Sequence, residues 1–330
     1  MRVLVTGAVG FIGRHTVRAL QHAGHEVLGL DKEPTMDCQL ADIMDYYGLD
    51  GPPQGGIDRL FKWFKPDAVI HCAAQSCVAV SVQDWAYDAE QNIIGTINVV
   101  KACQQYGVKR IVFASSGGTV YGNNPDLPWS EETPVNPVSP YGISKVAGEH
   151  YIKISGIPYV ILRYPNVYGP GQRSDGESGV VAIWIDRIRR GLKPLIFGDG
   201  QKTRDYVYVE DIAEANRLAL TGPEGTYNIA SGEPISDLDL ARRIAEFMDW
   251  GGGFELLPDR PNDVQHVELD ASKARNFMFL NWHPRYRLEI GIVKTLEADN
   301  AIRRTERREP AGECQEVGGE QAQPVGRGLE

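Results

Sequence analysis

Through the first half of the chain, short apolar runs alternate with longer segments whose apolar residues fall at helical spacing. VLVTG (3–7), EVLGLD (26–31), DAVIHCAA (67–74), RIVFASS (110–116) and YVILRY (159–164) have the length and apolar continuity of buried strands. Between them, GRHTVRALQHAG (13–24) and EQNIIGTINVVKACQQYG (90–107) read as helices. Alternation of this kind predicts a parallel sheet covered by helices on both faces. DGPPQGG (50–56) reads as a loop inside this half rather than a break between domains. Beyond Tyr168 the pattern loosens. SGVVAIWIDRIRRG (178–191) and ISDLDLARRIAEFMDW (235–250) predict helices set among short strands and turns, as in a smaller mixed α/β domain. From Arg303 onward there is neither an aromatic residue nor a period, the composition of a disordered tail. The expected division is 1–170, then 171–302 with some segments returning to the first domain, then a tail over 303–330.

Composition narrows the partners. The chain has 330 residues, 42% hydrophobic and 24% charged, ordinary globular values that allow a sizeable core. A formal net charge of −10 argues against a nucleic-acid partner. No apolar run is long enough to span a bilayer, and Met1 leads directly into a strand-like stretch. The expectation is a soluble, cytoplasmic protein with no membrane partner. Five scattered cysteines without a CxxC spacing predict reduced structural thiols and no metal site.

The candidate chemistry begins at the first strand. Gly7, Gly10 and Gly13 follow it and open the next helix, where backbone can approach a pyrophosphate at a helix N-terminus. Asp31 ends the second strand, 18 residues past Gly13. Its carboxylate suits a ribose diol and repels a 2′-phosphate, which favours NAD over NADP despite the neighbouring Lys32. Together these predict a Rossmann-type doubly wound parallel sheet.

SPYGISK (139–145) places Tyr141 and Lys145 one helical turn apart on one face. A phenol with a pKa of about 10 must fall about three units, or roughly 4 kcal/mol, to serve as a base at neutral pH. One cation about 4 Å away at an effective dielectric near 20 supplies about that much. Lys145 is placed to be that cation, with the nicotinamide charge of NAD adding to it. His71, alone on a strand, reads as a core residue.

With TGAVGFIG, HCAA (71–74), SSGGTVYG (115–122), LRYPNVYGP (162–170), IFGDGQKTRDYVYVEDIAEA (196–215) and DASKAR (270–275), the chain resembles the extended short-chain dehydrogenase/reductases over residues 1 to about 300. Within them it is most similar to the NAD-dependent sugar-nucleotide epimerases and dehydratases, in particular those that epimerise UDP-glucose at carbon 4. The resemblance implies a cofactor site of Gly7, Gly10, Phe11, Ile12, Gly13, Asp31, Lys32, Asp42, Ile43, Ala73, Ala74, Asn92, Ser115, Tyr141, Lys145 and Tyr164. Asp42 and Ile43 would hold the adenine. It implies a UDP-sugar site of Ser116, Gly117, Tyr141, Asn166, Val180, Arg204, Arg260, Asp263 and Val267, in which the two arginines grip the diphosphate. It also implies a homodimer packed through 90–107 and 140–154.

The pattern departs from the family at one catalytic position. Four residues before Tyr121 the family carries a serine or threonine, and here stands Gly117; Ser116 is expected to take the role. The two residues before VYG, an Asp-Glu pair in the related dehydratases, are Gly118 and Thr119, which move no proton at neutral pH. That leaves oxidation at carbon 4 and return of the hydride. Valine at 267, where an aromatic residue would exclude an N-acetyl group, predicts that UDP-N-acetylhexosamines are accepted too. A uronate 4-epimerase and a non-catalytic NAD sensor remain alternatives, the second disfavoured by the intact Tyr141 and Lys145.

Overall fold

The computed structural model describes residues 1–33, 38–46, 56–176, 179–260, 263–278 and 280–306. The first half runs β1 (Arg2–Thr6), α1 (Phe11–His22), β2 (Glu26–Asp31), β3 (Cys38–Leu40), α2 (Ile57–Phe64), β4 (Ala68–His71), α3 (Val78–Gln83) and α4 (Trp85–Ala89). A π-helical turn (Glu90–Ile94), α5 (Gly95–Gln105), β5 (Arg110–Ser116), α6 (Pro140–Ile154) and β6 (Tyr159–Tyr164) complete it. There follow β7 (Asn166–Tyr168), α7 (Val180–Arg189), β8 (Leu195–Phe197), β9 (Thr203–Arg204), β10 (Tyr206–Tyr208), α8 (Val209–Ala219) and β11 (Gly225–Asn228). The chain ends with β12 (Ile235–Ser236), α9 (Asp237–Phe247), β13 (Glu255–Leu257), α10 (Ser272–Arg275) and α11 (Leu288–Glu306).

Seven parallel strands form the central sheet in the order β11-β6-β5-β4-β1-β2-β3. Alternate residues of each strand enter different cores, as the period-two geometry of a strand requires. Val3, Val5, Ile70, Val112 and Leu162 pack with Leu20 of α1 and Ile212 and Ala215 of α8. Leu4, Val69, Ile111, Phe113 and Ile161 pack with α2, α5 and Ile152 of α6. A third cluster, centred on Trp184, Ile185, Leu240 and Ile244, joins α7 to α9 beside the sheet.

The five expected strands are present as β1, β2, β4, β5 and β6. The sheet also holds β3 and β11, whose short runs carry little periodic signal. The 90–107 helix is interrupted at its start, because Glu90–Ile94 adopts a wider π turn. Helix α11 runs to Glu306, so Arg303–Glu306 continue a helix rather than open a tail. The expected loop 50–56 and tail 307–330 lie outside the described residues, except that Gly56 caps α2. Among the described residues no helix is long and apolar enough to cross a membrane.

Candidate active site

The strand order changes direction between β1 and β4, and the carboxyl ends of these strands, with β5, converge on one crevice. The glycine turn forms its floor. Gly7 has φ +68, and a Cβ there would stand 2.7 Å from the Ala73 amide nitrogen. A Cβ on Gly13 would stand 2.0 Å from the Gly7 carbonyl oxygen. Both positions therefore require glycine. Gly10 begins α1 without a side-chain cap, so the first amides of that helix present their N–H groups toward the crevice, next to Phe11 and Ile12. Asp31 accepts a hydrogen bond from the Val9 amide at 2.9 Å, which braces the turn. Lys32 is exposed beside it. Asp42 accepts from the Met44 amide, and the buried Ile43 lies against Gly95, its carbonyl held by Asn98.

The opposite wall is the loop after β4. Thr6 Oγ1 accepts from the Ala73 amide (3.2 Å) and lies 2.7 Å from His71 Nδ1. His71 Nε2 is 3.1 Å from Thr96 Oγ1, whose hydroxyl donates to the Asn92 carbonyl. Burial and the charge of Lys145 push the His71 pKa down to about 3, so the ring is neutral and structural. Ala74 follows in the same loop, and Asn92 clamps the next residue by accepting from the Gln75 amide and donating to its carbonyl, both at 2.9 Å. The π turn aims Asn92 inward, a common use of such a turn.

Helix α6 starts at Ser139, whose hydroxyl accepts from the Gly142 amide, with Pro140 at the first position. Tyr141 therefore stands in the first turn, half-buried, and Lys145 Nζ lies 5.6 Å from the centre of its ring. The buried Lys145 ammonium donates to the Ala114 carbonyl at 3.0 Å and sits 5.2 Å from the Phe113 ring centre. Burial pushes its pKa down to about 8, against the opposing pull of Cys72, Asp88 and Glu149. The protein's own groups do not draw the Tyr141 phenol toward neutrality; the expected lowering rests on Lys145 together with the nicotinamide charge of NAD. Burial, and then the Asp88 carboxylate, push that phenol above its ordinary value. Lys145 Nζ lies over the ring face.

The loop after β5 accounts for Gly117. A Cβ on Gly117 would stand 2.4 Å from Leu269 Cδ1 and 3.3 Å from the Arg163 carbonyl, so this position points into the core. At Gly118 a Cβ would meet only Asn166 Oδ1, in ordinary contact at 3.9 Å. Ser116 is half-buried, its carbonyl taking the Val120 amide. Thr119 Oγ1 is enclosed with no hydrogen-bond partner among the described residues. Ser115 is buried at the strand end and donates to Glu149 at 2.6 Å. Glu149 accepts two hydrogen bonds from Arg163, which also reaches Tyr121 Oη. Ser115 thus faces this buried network. Tyr164 likewise turns its hydroxyl into the core, to Asn216 at 2.7 Å, while its carbonyl takes the Gly117 amide.

Farther along, Arg204 donates to Asp263 (3.1 Å) and to the Gln265 carbonyl, and Lys202 is buried between Asp259 and Asp263. The exposed Arg260 stacks over the Phe197 ring at 3.8 Å. Lys202 was not anticipated; its signal is a lysine beside Arg204 facing two downstream aspartates. Val180 opens α7 after Gly179. Val267 is 1% exposed and packed with Leu269 in the main core, so its side chain does not border an open surface.

A doubly wound sheet with a glycine turn at its crevice and a tyrosine–lysine pair opposite defines a dinucleotide-binding α/β protein of the oxidoreductase type. Residues 3–230 match the NAD dependent epimerase/dehydratase family, and the chain belongs to that family. It is 39% identical over 310 residues to the UDP-glucose 4-epimerase of Mycolicibacterium smegmatis, covering 90% of this chain and 98% of that protein. Among solved structures, the Thermotoga maritima UDP-glucose 4-epimerase with UDP-glucose superposes with a TM-score of 0.86 at 36% identity, covering 92% of this chain and 99% of that one. The Thermus thermophilus UDP-glucose 4-epimerase in complex with NAD gives 0.82 at 39% identity, covering 91% and 99%. The cofactor is NAD, and the glycine turn, the bare first amides of α1 and Asp31 fit it.

Proposed function

We propose that the protein is an NAD-dependent UDP-sugar 4-epimerase that interconverts UDP-glucose and UDP-galactose through a 4-keto intermediate. The observation that carries this reading is the Tyr141–Lys145 pair at the carboxyl ends of β1, β4 and β5, facing a loop with no ionisable group at Gly118 or Thr119. Bound NAD supplies the hydride acceptor for carbon 4 and then the donor that returns the hydride, so it is not consumed. Tyr141 takes the hydroxyl proton at carbon 4 through Oη during oxidation and gives it back on reduction of the opposite face. Lys145, fixed by the Ala114 carbonyl, stabilises the Tyr141 phenolate that accepts this proton and is regenerated when the proton is returned. Ser116 orients the reacting hydroxyl. Without an acid and base at 118 and 119, elimination of water has no group to drive it.

The smaller part of the chain holds the UDP portion. Arg204 and Arg260 face the diphosphate, with Asp263 fixing Arg204 and Lys202 holding Asp259 and Asp263. Asn166 and Val180 border the sugar. Two copies pair through the 90–107 and 140–154 helices, a reading supported by the exposed apolar residues Ile94, Ile143, Tyr151 and Ile154.

The test is to incubate purified protein, without added NAD, with UDP-galactose, UDP-N-acetylgalactosamine and UDP-galacturonate, and to resolve the products. Conversion of UDP-galactose is expected. Conversion of the uronate alone would move the assignment to a uronate 4-epimerase, and no turnover of the N-acetyl sugar would refute the reading of Val267.

A further inference from the structure

Asp88 belongs to no motif that carries the family resemblance, yet it is hydrogen-bonded to Asn92, the residue that clamps the loop after β4. It lies on α4 and is 1% exposed. Its Oδ1 accepts from Gln75 Nε2 and from Asn92 Nδ2, each at 2.9 Å. The same Asn92 amide donates at 3.2 Å to the Ser144 hydroxyl, which stands between Tyr141 and Lys145 on α6 and donates to the Tyr141 carbonyl at 2.9 Å. A buried carboxylate is ordinarily paired with a cation. Among the described residues Asp88 forms no ion pair. The contrast is Glu149, the other carboxylate facing Lys145, which is held by Arg163 at 2.6 Å and by Lys153 at 3.6 Å. The negative charge left uncompensated beside the pair is therefore that of Asp88.

We propose that Asp88 is a positioning residue for the Tyr141–Lys145 pair: its buried charge favours the Lys145 ammonium and opposes formation of the Tyr141 phenolate, and so sets the pH window in which the pair works. The inference rests on the reading of that pair as the acid–base machinery. The surroundings allow the sign to be worked out. Lys145 is faced by His71 and Cys72 from the end of β4, by Tyr141 and Glu149 on its own helix, and by Asp88 from α4. His71 is neutral, Cys72 is pushed up to about 12 and stays a thiol, and Glu149 is paired with Arg163. Asp88 itself is faced by Lys145 and Tyr141 from α6; α3 carries no titratable group, and Glu90 of the π turn is exposed. Removing the Asp88 charge withdraws an attraction from the ammonium and a repulsion from the phenolate. Both groups then lose their protons at lower pH.

The experiment compares wild type with Asp88→Asn and Asp88→Glu, and Asp88→Ser serves as the neutral variant should Asp88→Asn fail to fold. Lys145 is titrated directly by NMR of lysine labelled at Nζ, its resonance identified by its loss in Lys145→Met. The neutral variant should move the Lys145 midpoint downward by about one unit relative to wild type. Its kcat profile should shift to lower pH on both limbs, and Asp88→Glu should restore both. A Lys145 midpoint and a pH profile that stay in place, with kcat lowered equally at every pH, would overturn the proposal, because a merely structural residue behaves that way. Wild-type protein that turned over no UDP-sugar would refute the epimerase reading instead, since the Lys145 titration is read without substrate.

Discussion

At the scale of single residues, proton chemistry rests on few groups, and burial sets most of their properties. Tyr141 can act only through a phenolic oxygen that accepts the substrate proton and gives it back. Tyr141→Phe should lower kcat by about 10²–10⁴-fold while the protein keeps its NAD, measured by UDP-galactose turnover and by cofactor content after gel filtration. Ser116→Ala should lower kcat by less, with KM little changed, since the hydroxyl orients rather than transfers the proton. His71 makes a different contribution. It is neutral in the folded protein, with a pKa near 3, while the unfolded chain binds a proton near 6.5. Below about pH 6.5 the unfolded state therefore takes up more protons, and stability falls as the pH drops toward 3. The slope from this residue is about 1.4 kcal/mol per pH unit. Urea denaturation at a series of pH values should show it, and His71→Gln should flatten the curve between pH 4 and 6, a range set by the ordinary histidine pKa of about 6.5.

At the scale of elements, the site depends on where helices begin. Helix α1 begins on glycines because backbone must pass backbone there; α6 begins on Ser139 and Pro140, which put Tyr141 in the first turn. In Gly13→Ala the new methyl would meet the Gly7 carbonyl at 2.0 Å, so the turn must open. That variant should lose bound NAD and activity together, and excess NAD should restore only part of the activity. Retention of NAD at the wild-type level would show that the turn does not cradle the dinucleotide. The π turn has the same logic. A regular α-helix through Glu90–Ile94 would rotate Asn92 away from Gln75 and Asp88, and the loop after β4 would lose its clamp.

At the scale of the whole molecule, the remaining question is what covers the outer face of α6. Ile143, Tyr151 and Ile154 lie along one stripe of that helix, and Ile154 is 77% exposed. Paired against a second copy, they would be removed from water. Ile154→Asp combined with Ile143→Asp should convert a dimer into a monomer by light scattering coupled to gel filtration, without abolishing folding. A wild-type protein that is monomeric at micromolar concentration would remove the pairing altogether.

Much of this organisation could be read from order along the chain. Alternating apolar runs specify a parallel sheet because a strand buried on both faces must be apolar throughout, and the Gly7–Gly13 and Tyr141–Lys145 spacings are local, within one turn or one helix. Three features needed the tertiary structure. Gly117 has a glycine because Leu269, 152 residues away, fills the space where its side chain would be. The Tyr141 phenol is raised rather than lowered because desolvation depends on what surrounds it in three dimensions, whereas the sequence shows only the lysine one turn away. Asp88 comes beside that pair only when α4 packs on α6, so its charge belongs to the fold, where burial leaves it without a cation of its own.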